Sequence, residues 1–184
     1  MATPADLDEP CGEHFAYRDL IECGDTWHRL SAAGTPVDNL PRVPATFAAM
    51  RSLCAAVLDP LARRFGRPEL TYAFASPRLT RHVAGLIHPP VDQHAGHELD
   101  RAGKLVCPRL GLAADLRVPG VDSRDVALFV AEHTEFDRIY FYGAERPLHV
   151  SVGPERKRQI VHLSRGPSGR RIPRVVTADS LRRR

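Results

Sequence analysis

The chain has 184 residues and a mass of 20.4 kDa, the size of one ordinary domain or of one domain with a tail. With 43% hydrophobic and 26% charged residues it can bury a real core, which excludes wholesale disorder and a disulfide-stapled mini-protein. The formal net charge of +4 is unevenly spread: from Gly153 to Arg184 there are ten Lys/Arg against Glu155 and Asp179, so the body is acidic and the tail basic. No apolar run approaches the ~18 residues of a membrane span. The stretch from Met1 to Phe15 lacks the basic and apolar regions of a Sec signal, so the expected location is cytoplasmic. Cys11, Cys23, Cys54 and Cys107 form no C-x-x-C and read as reduced thiols rather than a disulfide framework or a zinc knuckle.

The predicted elements start after a loose leader, residues 1–10. A short helix is expected from Ala16 to Cys23, then an ordered, proline-rich loop from Gly34 to Pro44. The strongest periodicity follows: Thr46 is placed to cap a helix in which Phe47, Met50, Cys54, Val57, Leu58, Leu61 and Phe65 share one face. Pro60 should kink its last turn, and Gly66 and Pro68 should end it. Strands are expected at Glu69 to Phe74, Leu112 to Val118, Arg138 to Tyr142, Leu148 to Val152 and Gln159 to Leu163. A further helix should open at Ser123 and turn Val126, Phe129 and Val130 inward. Between the first two strands lies an irregular stretch, Ser76 to Arg109, with four of the nine histidines; loops of that length are more often functional than idle. The pattern is that of an α+β domain over residues 11–165, helices on a mainly antiparallel sheet, with 166–184 as a flexible basic tail able to make weak nucleic-acid contacts.

G-x-S-x-G, Walker, G-x-G-x-x-G and H-E-x-x-H motifs are all absent, which removes the common hydrolase, nucleotide-binding and zincin readings. What remains is His94 and His97 in DQHAGHEL, Asp115 in GLAADLRV and His149 in PLHVSV. A carboxylate inside an apolar strand needs a cation, a donor cluster or a metal, because burying it alone costs several kcal/mol. Two imidazoles and one carboxylate are a ligand set of catalytic zinc. His133 and His162 read as structural or surface residues.

The order of these pieces resembles the M15 metallopeptidases, the group of D-Ala-D-Ala carboxypeptidases and phage endolysins that shares a fold with the Hedgehog signalling domain. HFAYRDLIECGDTW, GTPVDNLPRVP with LCAAVLDPLARRFGRP, SPRLTRHVAG, GLAADLRV and EFDRIYFYGAERPLHVSVG are similar to successive segments of the small phage-type branch, over roughly Cys11 to Arg165. The resemblance implies a Hedgehog/DD-peptidase-like fold, Zn2+, and a zinc peptidase or amidase acting on peptides such as peptidoglycan cross-bridges.

Three motif positions depart from that pattern. In the family's S-x-H-x-x-G-x-A-x-D, Gly111, Ala113 and Asp115 fit, while Val106 and Pro108 replace the serine and histidine. His94 is the preferred first ligand, with residues from about Ala95 to Leu110 inserted before Asp115; His97 and Cys107 are the alternatives. Ala75 stands where the family has its substrate-carboxylate arginine, leaving Arg78 or Arg81 to substitute, and Tyr142 stands where the branch carries its catalytic glutamate, leaving Glu145 as the replacement base. Tyr142 could donate to an oxyanion. Those departures also fit a second expectation, an inactive or repurposed member that acts as a binding module or does other metal chemistry.

Overall fold

A computed structural model describes residues 3–83, 90–167 and 169–183. Two short helices, α1 (Tyr17–Ile21) and α2 (Asp25–Ala32), lead into a long helical run made of α3 (Pro44–Leu53), one π turn (Cys54–Leu58) and α4 (Asp59–Phe65). Then come β1 (Glu69–Tyr72), α5 (Pro77–Thr80), a single 3-10 turn (Gln93–Ala95), β2 (Leu112–Arg117) and α6 (Ser123–His133). The chain closes with β3 (Arg138–Phe141), β4 (Leu148–Val152), β5 (Gln159–Arg165), β6 (Arg171–Val176) and α7 (Ala178–Arg182).

The strands form one six-stranded sheet in the order β1-β2-β4-β3-β5-β6. It is mixed: β3 and β5 run parallel, and the other neighbours are antiparallel. The fold is α+β, as the element pattern predicted, and all five expected strands are present. The α2 helix, α5, β6 and α7 were not predicted.

Strand alternation sorts the sheet into two chemically different faces. Leu112, Ala114 and Leu116 of β2, Leu148, Val150 and Val152 of β4, Ile139 and Phe141 of β3 and Ile160 of β5 join one apolar core. Phe47, Met50, Leu53, Val57, Leu58 and Leu61 meet them from the long helical run, and Val126, Ala127 and Val130 from α6. Each such fully buried aliphatic side chain is worth about 1.5–3 kcal/mol relative to exposure. Pro44–Phe65 is long and apolar enough, by length and composition, to cross a membrane, but its apolar stripe is occupied by the core. The opposite face presents Asp115, Arg138, Tyr140, His149 and Ser151.

The proline in the long helix acts upstream of where the sequence suggested. Pro60 stands in the first turn of α4, where a missing N–H is tolerated, and the π turn Cys54–Leu58 immediately before it absorbs the disturbance. The start of the run also differs from expectation. Pro44 is its first residue, and Thr46 is fully buried and does not cap. No side chain caps the helix; the turn leading into it is held from 52 residues further along the chain, where the buried Glu98 carboxylate accepts from the N–H groups of Arg42 and Val43 (3.1 Å each) and from Thr46 Oγ1 (2.9 Å). At α6 the capping side chain is Asp122 rather than Ser123, accepting from Arg124 N–H at 2.7 Å.

Both ends are more firmly attached than their composition suggested. Arg18 N–H donates to the Leu7 carbonyl (2.8 Å), Pro10 and Ala16 form a β-bridge, and Leu7 packs on the core. Beyond Arg165, where a flexible tail was expected, β6 pairs with β5 along its length and α7 lays Leu181 into the core at 1% exposure. Arg182 reaches Glu132 on α6. Period-2 patterning is masked in β6 by its arginines and Pro173, which suit an edge strand. The four cysteines are free thiols, with Cys11 and Cys54 meeting at 3.1 Å between sulfurs in the core. If α7 is integral, Leu181→Ala should lower unfolding free energy by about 2–4 kcal/mol in urea titrations, where a flexible tail would show no change.

Candidate metal centre

The site is built by strand register. Antiparallel pairing sets Asp115 of β2 directly opposite His149 of β4, and His149 opposite Tyr140 of β3, all on the polar face. Tyr72 of β1 flanks Asp115 on the other side, after an irregularity in the β1–β2 ladder. His149 Nδ1–H donates to Asp115 Oδ1 at 2.8 Å, and Tyr140 stacks flat on the His149 ring with centroids 4.7 Å apart and planes at 17°.

The third group is brought in by the histidine-rich excursion. Asp92 Oδ1 accepts from His94 N–H (3.2 Å) and turns the chain into the 3-10 turn, which drops His94 between β1 and β4. Its ring lies 4.4 Å from Tyr72 and 5.0 Å from His149, centroid to centroid. Gln93 anchors the turn from inside: its amide N–H groups donate to the Leu110 carbonyl (2.8 Å) and to Asp137 Oδ2 (3.1 Å), and Ser151 Oγ donates to its Oε1 (2.7 Å). At Gly96, where φ is +61°, a Cβ would come within 2.7 Å of Thr46 Cγ2, so only glycine lets the chain pass α3 there.

His94 Nδ1–H donates to the Ala73 carbonyl at 2.7 Å, an acceptor that fixes the ring and turns Nε2 to the cluster. Nε2 lies 3.4 Å from Asp115 Oδ1 and 3.4 Å from Asp92 Oδ1. Asp92, His94 and His149 offer ligand atoms that all lie within 4.8 Å of one another, a candidate metal site. Ligand atoms around tetrahedral zinc, each about 2.0–2.1 Å from the ion, stand roughly 3.3 Å apart. The 2.8 and 3.4 Å separations of the Asp115 carboxylate from the two imidazoles bracket that value. Both imidazoles are 4% exposed, while the Asp92 and Asp115 side chains are 24% and 29% exposed, so the cluster opens to solvent on its carboxylate side.

The electrostatics ask for a cation. Burial opposes a charge on His94, but Asp92 and Asp115 outweigh it and raise the imidazole pKa to about 9. Burial likewise opposes the Asp115 carboxylate, and the two imidazoles more than compensate, holding its pKa well below the usual carboxylate range. Two carboxylates thus converge on one buried ring nitrogen, a place for a proton or a metal ion.

The other predicted site residues divide. Tyr142 follows β3 directly, with the Arg171 guanidinium 4.6 Å above its ring; burial and the charges of Asp115 and Asp92 push its pKa up, so it is a donor and no base. Glu145 is exposed in the β3–β4 turn, which docks on α6 through the Ala144 carbonyl, and makes no hydrogen bond or ion pair with the cluster among the described residues. Arg78 is exposed and faces Asp38 at 3.5 Å, and Arg81 is exposed after α5. His97 points away, its Nε2 accepting from Gly111 N–H (3.3 Å) beside a cavity of about 540 Å³ against α3. The Cys107 thiol donates to the Pro90 carbonyl at 3.7 Å. Of the three alternatives for the first ligand, His94 is therefore the one at the cluster. The residues 84 and 85 of the VAG segment lie outside the described residues.

Sequence reasoning missed Asp92, Tyr72, Tyr140 and Arg109. Arg109 Nη1 donates to the Val91 carbonyl and to Tyr140 Oη, both at 2.7 Å, which holds a guanidinium beside the ring that covers His149. The D-Q-H tripeptide was the only signal for Asp92; Arg109 carried none, since its partner lies 31 residues away.

No family model matches the chain, and no curated protein or solved structure matches it either.

In metal-free protein the His94 ring should titrate near 9 by NMR rather than at its ordinary 6.5, and Asp92→Asn should move it down. The sign follows from a folded pKa above the unfolded one: His94 stabilises the fold fully below pH 6.5, and that contribution is lost as pH rises through 9. A His94 ring titrating below 6.5 would contradict the convergence of the two carboxylates.

Proposed function

We propose that this chain is a zinc-dependent peptidase or amidase of the M15 type, acting on peptides such as peptidoglycan cross-bridges. The observation that supports it is the convergence of His94, Asp115 and His149, three residues from separate parts of the sequence: His94 Nε2 and His149 Nδ1 lie 3.4 and 2.8 Å from Asp115 Oδ1. Of the two carboxylates at the cluster, Asp115 lies near both imidazoles while Asp92 is paired only with His94, so His94 Nε2, His149 Nδ1 and Asp115 would hold the ion and Asp92 would stay free for proton transfer. A zinc ion there would supply a Lewis acid for a carbonyl oxygen and a water of pKa about 7.

The remaining roles belong to side chains. Asp92, whose Oδ1 stands 3.4 Å from His94 Nε2 with part of the carboxylate open to solvent, takes the proton from the attacking water and returns it to the leaving amine. It replaces Glu145, which is not at the cluster. Arg109, braced on Tyr140 beside the His149 ring, takes the substrate carboxylate. Tyr142 donates toward the developing oxyanion. The absence of Glu145 from the cluster, with Ala75 buried in the arginine's place, favours a second reading: the same site retained in a binding module.

Elemental analysis separates the two. Protein purified without chelator should carry about one zinc per chain, and His94→Ala and Asp115→Ala should each abolish it. Asp92→Asn should keep zinc and lower kcat for muropeptide cleavage by about 10²–10⁴-fold. Zinc without cleavage by the wild-type chain would transfer the assignment to the binding module, and absence of zinc would end both.

A further inference from the structure

Two thiols meet where the leader crosses the long helical run. Cys11 Sγ and Cys54 Sγ lie 3.1 Å apart, at 4% and 0% exposure, inside the apolar core rather than on the polar face that carries the metal cluster. Backbone contacts bring them together. The N–H groups of Cys11 and Gly12 both donate to the Phe15 carbonyl, at 2.9 and 3.1 Å, which folds this part of the leader into a tight turn. The buried Asp59 carboxylate clamps the turn to the start of α4, accepting from the N–H groups of Glu13 (2.9 Å) and His14 (3.0 Å). The approach is close: a Cβ on Gly12 would stand 2.6 Å from both Cys54 Cβ and Asp59 Oδ2. Cys54 itself opens the π turn Cys54–Leu58.

The other two cysteines face carbonyl oxygens instead, Cys23 that of Leu20 at 3.6 Å and Cys107 that of Pro90 at 3.7 Å. A disulfide needs about 2.05 Å between sulfurs, so Cys11 and Cys54 have roughly 1 Å to close, within the reach of rotation about their χ1 bonds. Access differs between the two. Cys11 adjoins half-buried Gly12 and exposed Glu13 and His14, whereas Cys54 is enclosed by the helical run. Local opening of the turn therefore presents Cys11 first. The 43 residues between the pair explain why spacing alone read all four cysteines as unrelated thiols.

We propose that Cys11 and Cys54 are a dithiol–disulfide pair, oxidised by a low-molecular-mass disulfide such as oxidised glutathione, whose bond staples the leader turn to the π turn. The Cys11 thiolate attacks one sulfur of the oxidant; a Cys11–glutathione bond forms, the oxidant's S–S bond breaks and one glutathione thiolate leaves. The Cys54 thiolate then attacks the Cys11 sulfur and expels the second glutathione. In total the two cysteines lose two protons and two electrons, and one oxidised glutathione becomes two reduced ones. The closed loop encloses α1, α2 and α3, and constrains the unfolded chain accordingly. Reduced wild-type protein is to be incubated with oxidised glutathione, alkylated after unfolding, and digested for mass spectrometry. One cross-link should appear, between the peptides holding Cys11 and Cys54 and two hydrogens lighter than the separate thiols, with Cys23 and Cys107 alkylated. Melting temperature should rise by roughly 10 °C on oxidation and fall back on adding dithiothreitol. Cys11→Ala should abolish both the cross-link and the rise, while Cys54→Ala should stop at the Cys11–glutathione adduct. Four alkylated thiols in wild-type protein after the incubation would overturn the proposal. A cross-link through Cys23 or Cys107, or a rise in melting temperature that survives Cys11→Ala, would overturn it equally.

Discussion

The alignment of β2 with β4 puts a carboxylate and an imidazole opposite each other on a face that the rest of the fold has to cover. A slip of one residue would send Asp115 and His149 into the apolar core and Ala114 and Val150 out of it. The core alternation of both strands, aliphatic at every second position, is what forbids that slip. Stability and site geometry are thus held by the same constraint: the hydrophobic face locks the register, and the register assembles the polar face. Gly111, just before β2, belongs to this constraint too, since a Cβ there would come within 1.9 Å of the Val152 carbonyl on β4.

The excursion between β1 and β2 does two jobs with adjacent residues. Gln93 and His94 insert into the polar face of the sheet, where Gln93 satisfies Ser151 and Asp137 and His94 meets Asp115. A few residues on, Glu98 holds the turn that leads into α3, whose helix packs against the opposite face. Buried polar groups of this kind need every partner, because each unsatisfied donor or acceptor costs about 1–3 kcal/mol. Anchoring at both points explains how an irregular segment can hold an imidazole to within hydrogen-bonding distance of two carboxylates. It also explains why two carboxylates can sit beside a buried ring without driving the segment off: a cation at Nε2, proton or metal, offsets their repulsion.

Much of the scaffold was legible because its signals are local. Apolar spacing from Phe47 to Phe65 announced the core helix, and alternation in LHVSV and GLAADLRV announced strands with one polar position each. Asp115 and His149 stood out for the same reason, as polar residues flanked by aliphatic ones. What failed to show was anything whose partner lies far along the chain. The bond between Glu98 and Thr46 crosses 52 residues, so Thr46 read as a local cap when its hydroxyl is in fact taken by that distant carboxylate. The basic C-terminal segment read as loose because its pairing with β5 is backbone hydrogen bonding, which leaves little trace in side-chain pattern, and because edge strands carry charge and proline.

By itself the sequence determined the α+β class, the core helix, five of the six strands, and a short set of residues able to bind a metal. Only the tertiary structure chose among them, placing His94 at the cluster and leaving His97, Cys107 and Glu145 elsewhere, and adding Asp92 and Arg109. The physical reason is that secondary structure and burial follow from periodicities within a few residues, whereas a metal site is a matter of a few tenths of an ångström between side chains whose separation in the chain carries no information about their separation in space.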